Sequence, residues 1–145
     1  TIEYLDETYP EPALMPGTPS ERAYVRAISN GIACDISPLN NIGPLRVLEN
    51  EMGVDADKRQ EWYEYWIKKG FTALEALLSQ RGLSGKYCFG DQVTLADICL
   101  VPQVFNAQRF NCPLEDYPAL IGIFENLMQL QAFKDAAPDN QPDNV

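Results

Sequence analysis

The sequence has no histidine among its 145 residues. This absence removes the commonest general base, the commonest zinc ligand and any Ser-His or Cys-His nucleophile pair. The sequence also lacks a glycine-rich phosphate loop and any set of residues spaced as metal ligands. If the chain takes part in catalysis, it must bind, orient or polarise a substrate rather than transfer protons through imidazole.

Positive charge is scarce, and long apolar runs are missing. Eleven lysines and arginines face 21 acidic residues, which gives a net charge of −10. Such a surface argues against nucleic acid or an anionic membrane as a partner, although it is also consistent with simple solubility. No apolar run approaches the length needed to cross a bilayer, and the first residues are acidic where a signal peptide would be basic. We therefore expect a cytoplasmic location with no nucleic-acid or membrane partner.

Paired cysteines are also missing. The four cysteines are widely scattered, have apolar neighbours and form no CxxC motif, at Cys34, Cys88, Cys99 and Cys112. A chain of this length buries enough apolar surface to fold without cross-links. The cysteines are therefore expected to be buried free thiols in a reducing compartment.

Apolar residues recur at helical spacing along most of the chain, and no segment alternates convincingly as a strand. The clearest amphipathic helix is predicted over residues 55–80, with Asp55 as its N-cap. Other helices are predicted over residues 21–52, 94–109 and 117–130, followed by a short turn over residues 131–136. The prolines in Ser37-Pro38 and Gly43-Pro44 are expected to break the first of these. The predicted fold class is an all-α bundle of about five helices.

Residues 90–110, with the sequence GDQVTLADICLVPQVFNAQRF, organise this bundle. Thr94 and Asp97 have the spacing of a capping box, in which each residue satisfies a backbone N–H of the other. The residues that follow are apolar nearly all round, so the helix is predicted to be central and buried.

Two features allow both a structural and a functional interpretation. Asn40 and Asn41 lie between the two expected helix breaks, where they either face a ligand or cap the freed backbone. Arg109 ends the central helix, where a cation stabilises the helix dipole or holds a substrate carboxylate by a bidentate contact. Spacing alone favours the dipole interpretation for Arg109.

The segment GDQVTLADICLVPQVFNAQRF resembles the C-terminal helical domain of glutathione S-transferases, and its second half resembles the zeta class in particular. Three further stretches resemble the same class: ISPLNNIGPLRVL at residues 36–48, GFTALEALL at residues 70–78, and the closing QPD. Residues 2–16 resemble the end of that family's preceding domain and its linker. The resemblance therefore spans essentially the whole chain.

The family's architecture is a thioredoxin-like domain followed by the helical domain, usually in a homodimer. The resemblance implies that residues 1–19 are the end of the preceding domain's last helix plus a proline-rich linker. It also implies that residues 20–137 are the helical domain and residues 138–145 a loose tail. The thioredoxin-like domain carries most of the glutathione site and the motif that activates the thiol. It is absent from this chain, so no catalytic residue is expected here, and the chain alone is expected to be inactive.

The resemblance also assigns binding residues. Asn41, Ile42 and Gly43 match positions that contact glutathione, and Gly43 replaces a larger residue, so only its backbone is expected to contribute. Ser37 falls where the class often has glutamine or histidine. Arg109 matches the arginine that holds a substrate carboxylate, which reverses the preference that spacing gave.

The implied activity is the glutathione-dependent cis–trans isomerisation of maleylacetoacetate to fumarylacetoacetate, in tyrosine and phenylalanine catabolism. Maleylpyruvate isomerases use a further arginine near residues 35–37, and its absence here favours maleylacetoacetate. The alternatives are a maleylpyruvate isomerase, a general glutathione transferase, and a non-enzymatic interaction module with the same fold.

Overall fold

The computed structural model describes residues 1–15, 17–80 and 82–142, and this part of the chain is built from helices and loops. In chain order, α1 to α8 span Ile2–Thr8, Pro19–Asp35, Ser37–Asn40, Ile42–Asn50, Ala56–Gln80, Leu95–Arg109, Pro118–Leu127 and Gln131–Asp135. Five of them, α2 and α4 to α7, have nine or more residues. The only β pairing among these residues consists of isolated bridges between residues 84 and 92. The predicted all-α bundle is confirmed.

Helix α6 lies at the centre of this bundle. It packs against α2 and α7, while α5 packs against α2, α3, α4 and α7. The buried residues of α6 are distributed around the helix, at Leu95, Ala96, Asp97, Leu100, Gln103, Val104 and Ala107. The prediction of a buried central helix is therefore confirmed.

The start of α6 is held by a buried carboxylate. The predicted capping box between Thr94 and Asp97 forms, and Asp97 has no exposed surface. Its carboxylate accepts hydrogen bonds from the Thr94 backbone N–H at 2.7 Å and from the Thr94 hydroxyl at 2.9 Å. Its other oxygen accepts from the Cys88 backbone N–H at 2.9 Å. Asp97 thus fixes the helix start and the preceding loop together.

The proline-rich segment before α2 also reaches the start of α6. The Leu95 backbone N–H donates to the Leu14 carbonyl at 3.0 Å, and the Gln92 amide donates to the Ala13 carbonyl at 2.9 Å. Between these contacts and α2, Met15 is only 4% exposed and belongs to the core. Since Leu95 is the first residue of α6, the segment satisfies an N–H that has no partner within the helix. Residues 13–15 are therefore docked on the helical bundle, and their role as part of a linker stays a prediction.

The helix breaks fall at Ile36, between α2 and α3, and at Asn41, between α3 and α4. The first agrees with the prediction from Ser37-Pro38. The second prediction was misplaced, because Gly43-Pro44 lies inside the first turn of α4 rather than between two helices. Proline is tolerated there because first-turn N–H groups have no intrahelical partner in any case. The chain therefore turns at Asn41, two residues before the expected break.

Replacing two helical glycines with alanine should change the free energy of unfolding in opposite directions. A Cβ at Gly70, in α5, would overlap the side chain of fully buried Ile36, whereas a Cβ at Gly122, in α7, would meet nothing within 4 Å. We expect Gly70→Ala to lower the free energy of unfolding by about 1–3 kcal/mol, because overpacking outweighs the better helix propensity of alanine. We expect Gly122→Ala to raise it by about 0.5–1 kcal/mol. Urea titrations of the two variants measure the difference, and equal shifts would refute the close approach of α5 to Ile36.

Residues 131–142 contain more regular structure than the turn and loose tail predicted for them. The predicted turn over residues 131–136 is α8, and a 3₁₀ turn follows at Pro138–Asn140. The Asn140 amide donates to the Lys134 carbonyl at 2.6 Å, and the Gln141 amide donates to the Asp135 carbonyl at 2.7 Å. Residues 143–145 lie outside the described residues, as does Arg81, which follows the helix predicted over residues 55–80. Looseness of the tail stays a prediction.

Candidate functional site

Arg109 is the last residue of α6, as predicted, and its side chain is exposed. It makes no hydrogen bond or ion pair with any residue that the structure describes. By contrast, Arg26, Lys58 and Arg59 each pair with a glutamate. The Arg109 guanidinium is thus available to a ligand.

Arg109 lines a cavity of about 360 Å³ between α6, α7, α8 and the 3₁₀ turn. This volume lies in the range of small-molecule sites, which are commonly about 300–1,000 Å³. The lining residues are Ile98, Val101, Pro102, Phe105, Asn106, Arg109, Phe124, Met128, Phe133, Ala136, Ala137 and Pro138. Among the described residues that line the cavity, Arg109 is the one charged group and Asn106 the one other hydrogen-bonding side chain.

This arrangement favours an organic anion. A guanidinium presents parallel donors that match the two oxygens of a carboxylate, and the described lining contains no acidic side chain that competes for them. Asn106 precedes Arg109 by three residues on α6, a spacing that places both on one face of the helix. Its amide adds a neutral donor beside the cation. The apolar wall then accommodates the body of the ligand.

The second predicted group, Ser37, Asn41, Ile42 and Gly43, does not line the Arg109 cavity. Ser37 begins α3 and is half-buried, whereas Asn41, Ile42 and Gly43 are exposed where α4 begins. The Asn41 side-chain oxygen accepts from the Ile42 backbone N–H at 2.7 Å, so the capping interpretation of this asparagine is correct. The Asn41 amide nitrogen makes no hydrogen bond within the described residues and is available to a ligand.

Asn40 differs from its neighbour. It is 7% exposed, and its amide nitrogen has no hydrogen-bond partner in the described part of the chain. The nearby Trp62 indole, in contrast, donates to the Leu39 carbonyl at 2.7 Å. The α3–α4 corner therefore combines exposed backbone with an unused buried donor.

The cysteines take no part in these two groups. Cys88 and Cys112 are buried and Cys99 is partly buried, but Cys34 is exposed, so the prediction of four buried thiols was wrong at Cys34. Cys34 lies on the solvent side of α2, where apolar sequence neighbours belong to other faces of the helix. None of the four forms a disulfide. No group of three or more potential ligands in the described residues could hold a metal ion.

Thiol reactivity should follow this burial. Burial and the nearby Glu64 raise the pKa of Cys112 to about 11, and burial beside Asp97 raises the pKa of Cys88 as well. At pH 8 only about one Cys112 in a thousand is then a thiolate, the reactive form. We expect iodoacetamide to modify Cys34 alone in the folded chain, as read by peptide mass spectrometry. Cys34→Ser should abolish rapid labelling; rapid modification of Cys88 would contradict the fold around Asp97.

The sequence did not identify most of the cavity wall. Phe124 lay within the helix predicted over residues 117–130, but Phe133 and Pro138 belonged to segments interpreted as a turn and a loose tail. Their signal was weak, because a five-residue helix carries too few positions to show a hydrophobic face.

No helix in the described ranges is long and apolar enough to span a membrane.

Residues 59–126 match the family model for the glutathione S-transferase C-terminal domain. The chain is 49% identical over 142 residues to a probable maleylacetoacetate isomerase of Vibrio cholerae, covering 98% of this chain and 65% of that protein. The chain spans 54% to 65% of the first three curated relatives that it matches.

Solved structures agree closely. A maleylpyruvate isomerase, described as a bacterial glutathione S-transferase of the zeta class, superposes with a TM-score of 0.96 at 44% identity, covering 99% of this chain and 68% of that one. A maleylacetoacetate isomerase from Anaeromyxobacter dehalogenans 2CP-1 gives a TM-score of 0.91 at 39% identity, covering 99% and 63%. The latter contains dicarboxyethyl glutathione and citrate in its active site.

Proposed function

Since the chain belongs to the glutathione S-transferase family, in its zeta class, we propose that it is the helical, substrate-binding part of a glutathione-dependent isomerase. The reaction is the cis–trans isomerisation of maleylacetoacetate to fumarylacetoacetate, in the catabolism of tyrosine and phenylalanine. The observation that carries this proposal is the Arg109 guanidinium, which pairs with no described residue and lies at an apolar cavity whose described lining contains no acidic side chain. In this function, Arg109 holds one carboxylate of the diacid and fixes the orientation of its double bond.

The corner between α3 and α4 fits glutathione, which carries two carboxylates. First-turn N–H groups of α4 lack intrahelical carbonyl partners and favour anions. Around Gly43 there is no side-chain obstruction within 4 Å of the position of a Cβ, so a ligand can approach its backbone. The Asn41 amide nitrogen and the Gly43 backbone N–H would hold the cofactor, with the Ser37 hydroxyl as a further donor. Ile42 would contact it through atoms other than its N–H, which already donates to the Asn41 side-chain oxygen. Bound glutathione supplies the thiolate that adds to the cis double bond and leaves after bond rotation.

The proposal also specifies the domains of the whole enzyme and its assembly. Residues 1–19 would be the end of a thioredoxin-like domain and its linker, and residues 20–137 the helical domain. The thioredoxin-like domain would activate the thiol, so this chain alone would be inactive. The assembled enzyme is proposed to be a cytoplasmic homodimer. Exposed large apolar side chains on or directly after α1 and α4 are consistent with covered surfaces in such an assembly: Tyr4, Leu5, Tyr9, Ile42, Val47 and Met52.

The proposal can be tested by joining the chain to the part of the Vibrio cholerae relative that lies outside the match, where the proposal expects the thioredoxin-like domain. We expect the joined protein to bind glutathione and to isomerise maleylacetoacetate, monitored by the formation of fumarylacetoacetate. The isolated chain is the matched control and should show no turnover. A folded joined protein that binds no glutathione would reject the enzyme and favour a non-enzymatic interaction module.

A maleylpyruvate isomerase is the second candidate. It is favoured by the close superposition on a maleylpyruvate isomerase, whereas the absence of arginine at residues 35–37 favours maleylacetoacetate. The ratio of kcat/KM for the two substrates in the joined protein decides between them. A general glutathione transferase would instead turn over halogenated acids with comparable efficiency.

A further inference from the structure

The Arg109 side chain has no hydrogen-bond or ion-pair partner among the described residues, so its position depends on the backbone that carries it. That backbone is the last turn of α6, where the final carbonyls of a helix lack donors from the helix itself. A helix end of this kind frays unless other parts of the structure hold it. The contacts that hold the end of α6 therefore decide where the guanidinium lies.

A Schellman motif closes the end of α6. The Asn111 backbone N–H donates to the Gln108 carbonyl at 3.0 Å, and the Cys112 N–H donates to the Ala107 carbonyl at 2.9 Å. Asn111 has a φ of 53°, the left-handed conformation that this motif requires and that asparagine adopts more readily than most residues. These bonds satisfy carbonyls of α6 itself, whereas the carbonyl of the C-cap residue, Phe110, accepts a hydrogen bond from a different helix.

That helix is α5, which holds Phe110 by both its carbonyl and its ring. The Gln60 side-chain amide donates to the Phe110 carbonyl at 2.7 Å and to the Glu64 carboxylate at 2.8 Å. Glu64 follows Gln60 by one helical turn, so the second bond orients the amide. The Tyr63 ring stacks on the Phe110 ring, with centroids 4.1 Å apart and planes at 14°. None of these three α5 residues belongs to the described lining of the Arg109 cavity.

We propose that Gln60 is a positioning residue for Arg109. Its hydrogen bond to the Phe110 carbonyl fixes the end of α6 and so keeps the neighbouring guanidinium at the cavity. A donor that is already ordered loses less entropy when it binds a ligand, so the carboxylate contact is stronger. This inference rests on the proposed function, because Gln60 assists the reaction only if Arg109 holds the substrate. It adds a residue that lies outside the cavity and acts on substrate binding through the backbone.

The test is the KM of the joined protein for the diacid at saturating glutathione. Gln60→Met removes the donor but keeps a long, helix-forming side chain. We expect it to raise KM about 3- to 10-fold, the factor for one hydrogen bond, and to change kcat by less than about twofold. Gln60→Lys, which retains an N–H donor, should recover most of this loss. Gln92→Met is the matched control, because Gln92 also donates to a backbone carbonyl but lies outside the cavity lining, and it should leave KM unchanged.

A double variant separates positioning from general support of the fold. If Gln60 acts through Arg109, Gln60→Met should change the KM of the Arg109→Ala protein by less than about twofold. The same increase in both backgrounds would overturn the proposal, because the effect would then not depend on Arg109. The backbone amide protons of Asn111 and Cys112 report directly on the end of α6. Gln60→Met, but not Gln92→Met, should accelerate their exchange with water about 3- to 10-fold.

Unchanged KM for Gln60→Met would overturn the proposal, as would a raised KM with unchanged amide exchange. If Arg109→Ala raises KM in the same experiment, either result leaves the proposed function intact. A joined protein without turnover, or an Arg109→Ala variant with unchanged KM, would instead reject the proposed function, and the positioning role of Gln60 with it.

Discussion

Replacing Asp97 with asparagine is expected to lower the free energy of unfolding by about 3 kcal/mol or more. The carboxylate is fully buried and accepts three hydrogen bonds, two from the backbone N–H groups of Thr94 and Cys88 and one from the Thr94 hydroxyl. An asparagine amide presents donors on one side of the same site, so at least one backbone N–H there loses its acceptor. A buried donor without a partner costs about 1–3 kcal/mol, and the loss of charge-assisted bonds adds to this cost.

Urea titrations followed by circular dichroism measure this loss. Asp91→Asn is the matched control, since Asp91 is exposed in the same loop and should change stability by less than about 0.5 kcal/mol. Thr94→Val, which removes the hydroxyl but keeps the backbone N–H, should lie between them, at about 1 kcal/mol. A loss below 1 kcal/mol for Asp97→Asn would mean that this carboxylate does not hold the start of α6 to the loop.

Replacing Arg109 with alanine in the joined enzyme is expected to raise KM for the diacid about 10- to 100-fold. The physical reason is the loss of a charge-assisted, bidentate contact worth about 1.5–3 kcal/mol. Arg109→Lys should recover only part of the affinity, since an ammonium group lacks the planar pair of donors. Steady-state kinetics at saturating glutathione measure both variants.

Controls separate this role from a structural one. Arg46→Ala, at an exposed arginine on α4, should leave KM unchanged. Arg109 makes no ion pair with a described residue, so Arg109→Ala should change the free energy of unfolding by less than about 0.5 kcal/mol. Unchanged KM for Arg109→Ala would remove the substrate role proposed for this residue.

Local sequence patterns predicted most of the helices. The run of apolar residues at 3–4 spacing located α5 within one residue, and the spacing of Thr94 and Asp97 located the start of α6. Both signals depend on residues within one or two turns of each other, so the sequence carries them directly. The start of α4 was missed because Gly43 and Pro44, usual helix breakers, also fit a first helical turn.

Non-local contacts could not be predicted in this way. The docking of the proline-rich segment depends on a hydrogen bond from the Leu95 N–H to the Leu14 carbonyl, 81 positions apart, and nothing in a proline-rich sequence indicates it. The cavity likewise requires α6, α7 and α8 to be placed in space before Phe133 is seen near Arg109. The role of Arg109 came from family resemblance, since its spacing alone favoured a helix-dipole interaction.

The central claim is that a substrate carboxylate lies on the Arg109 guanidinium in a glutathione-dependent isomerase. The direct measurement is the NMR signal of the Arg109 Nε–H group in the joined protein, assigned by its absence in Arg109→Lys. On saturation with glutathione and a non-reactive diacid analogue, this signal should shift and its exchange with water should slow. Turnover by a joined protein whose Arg109 signal stays unchanged on saturation would contradict the claim.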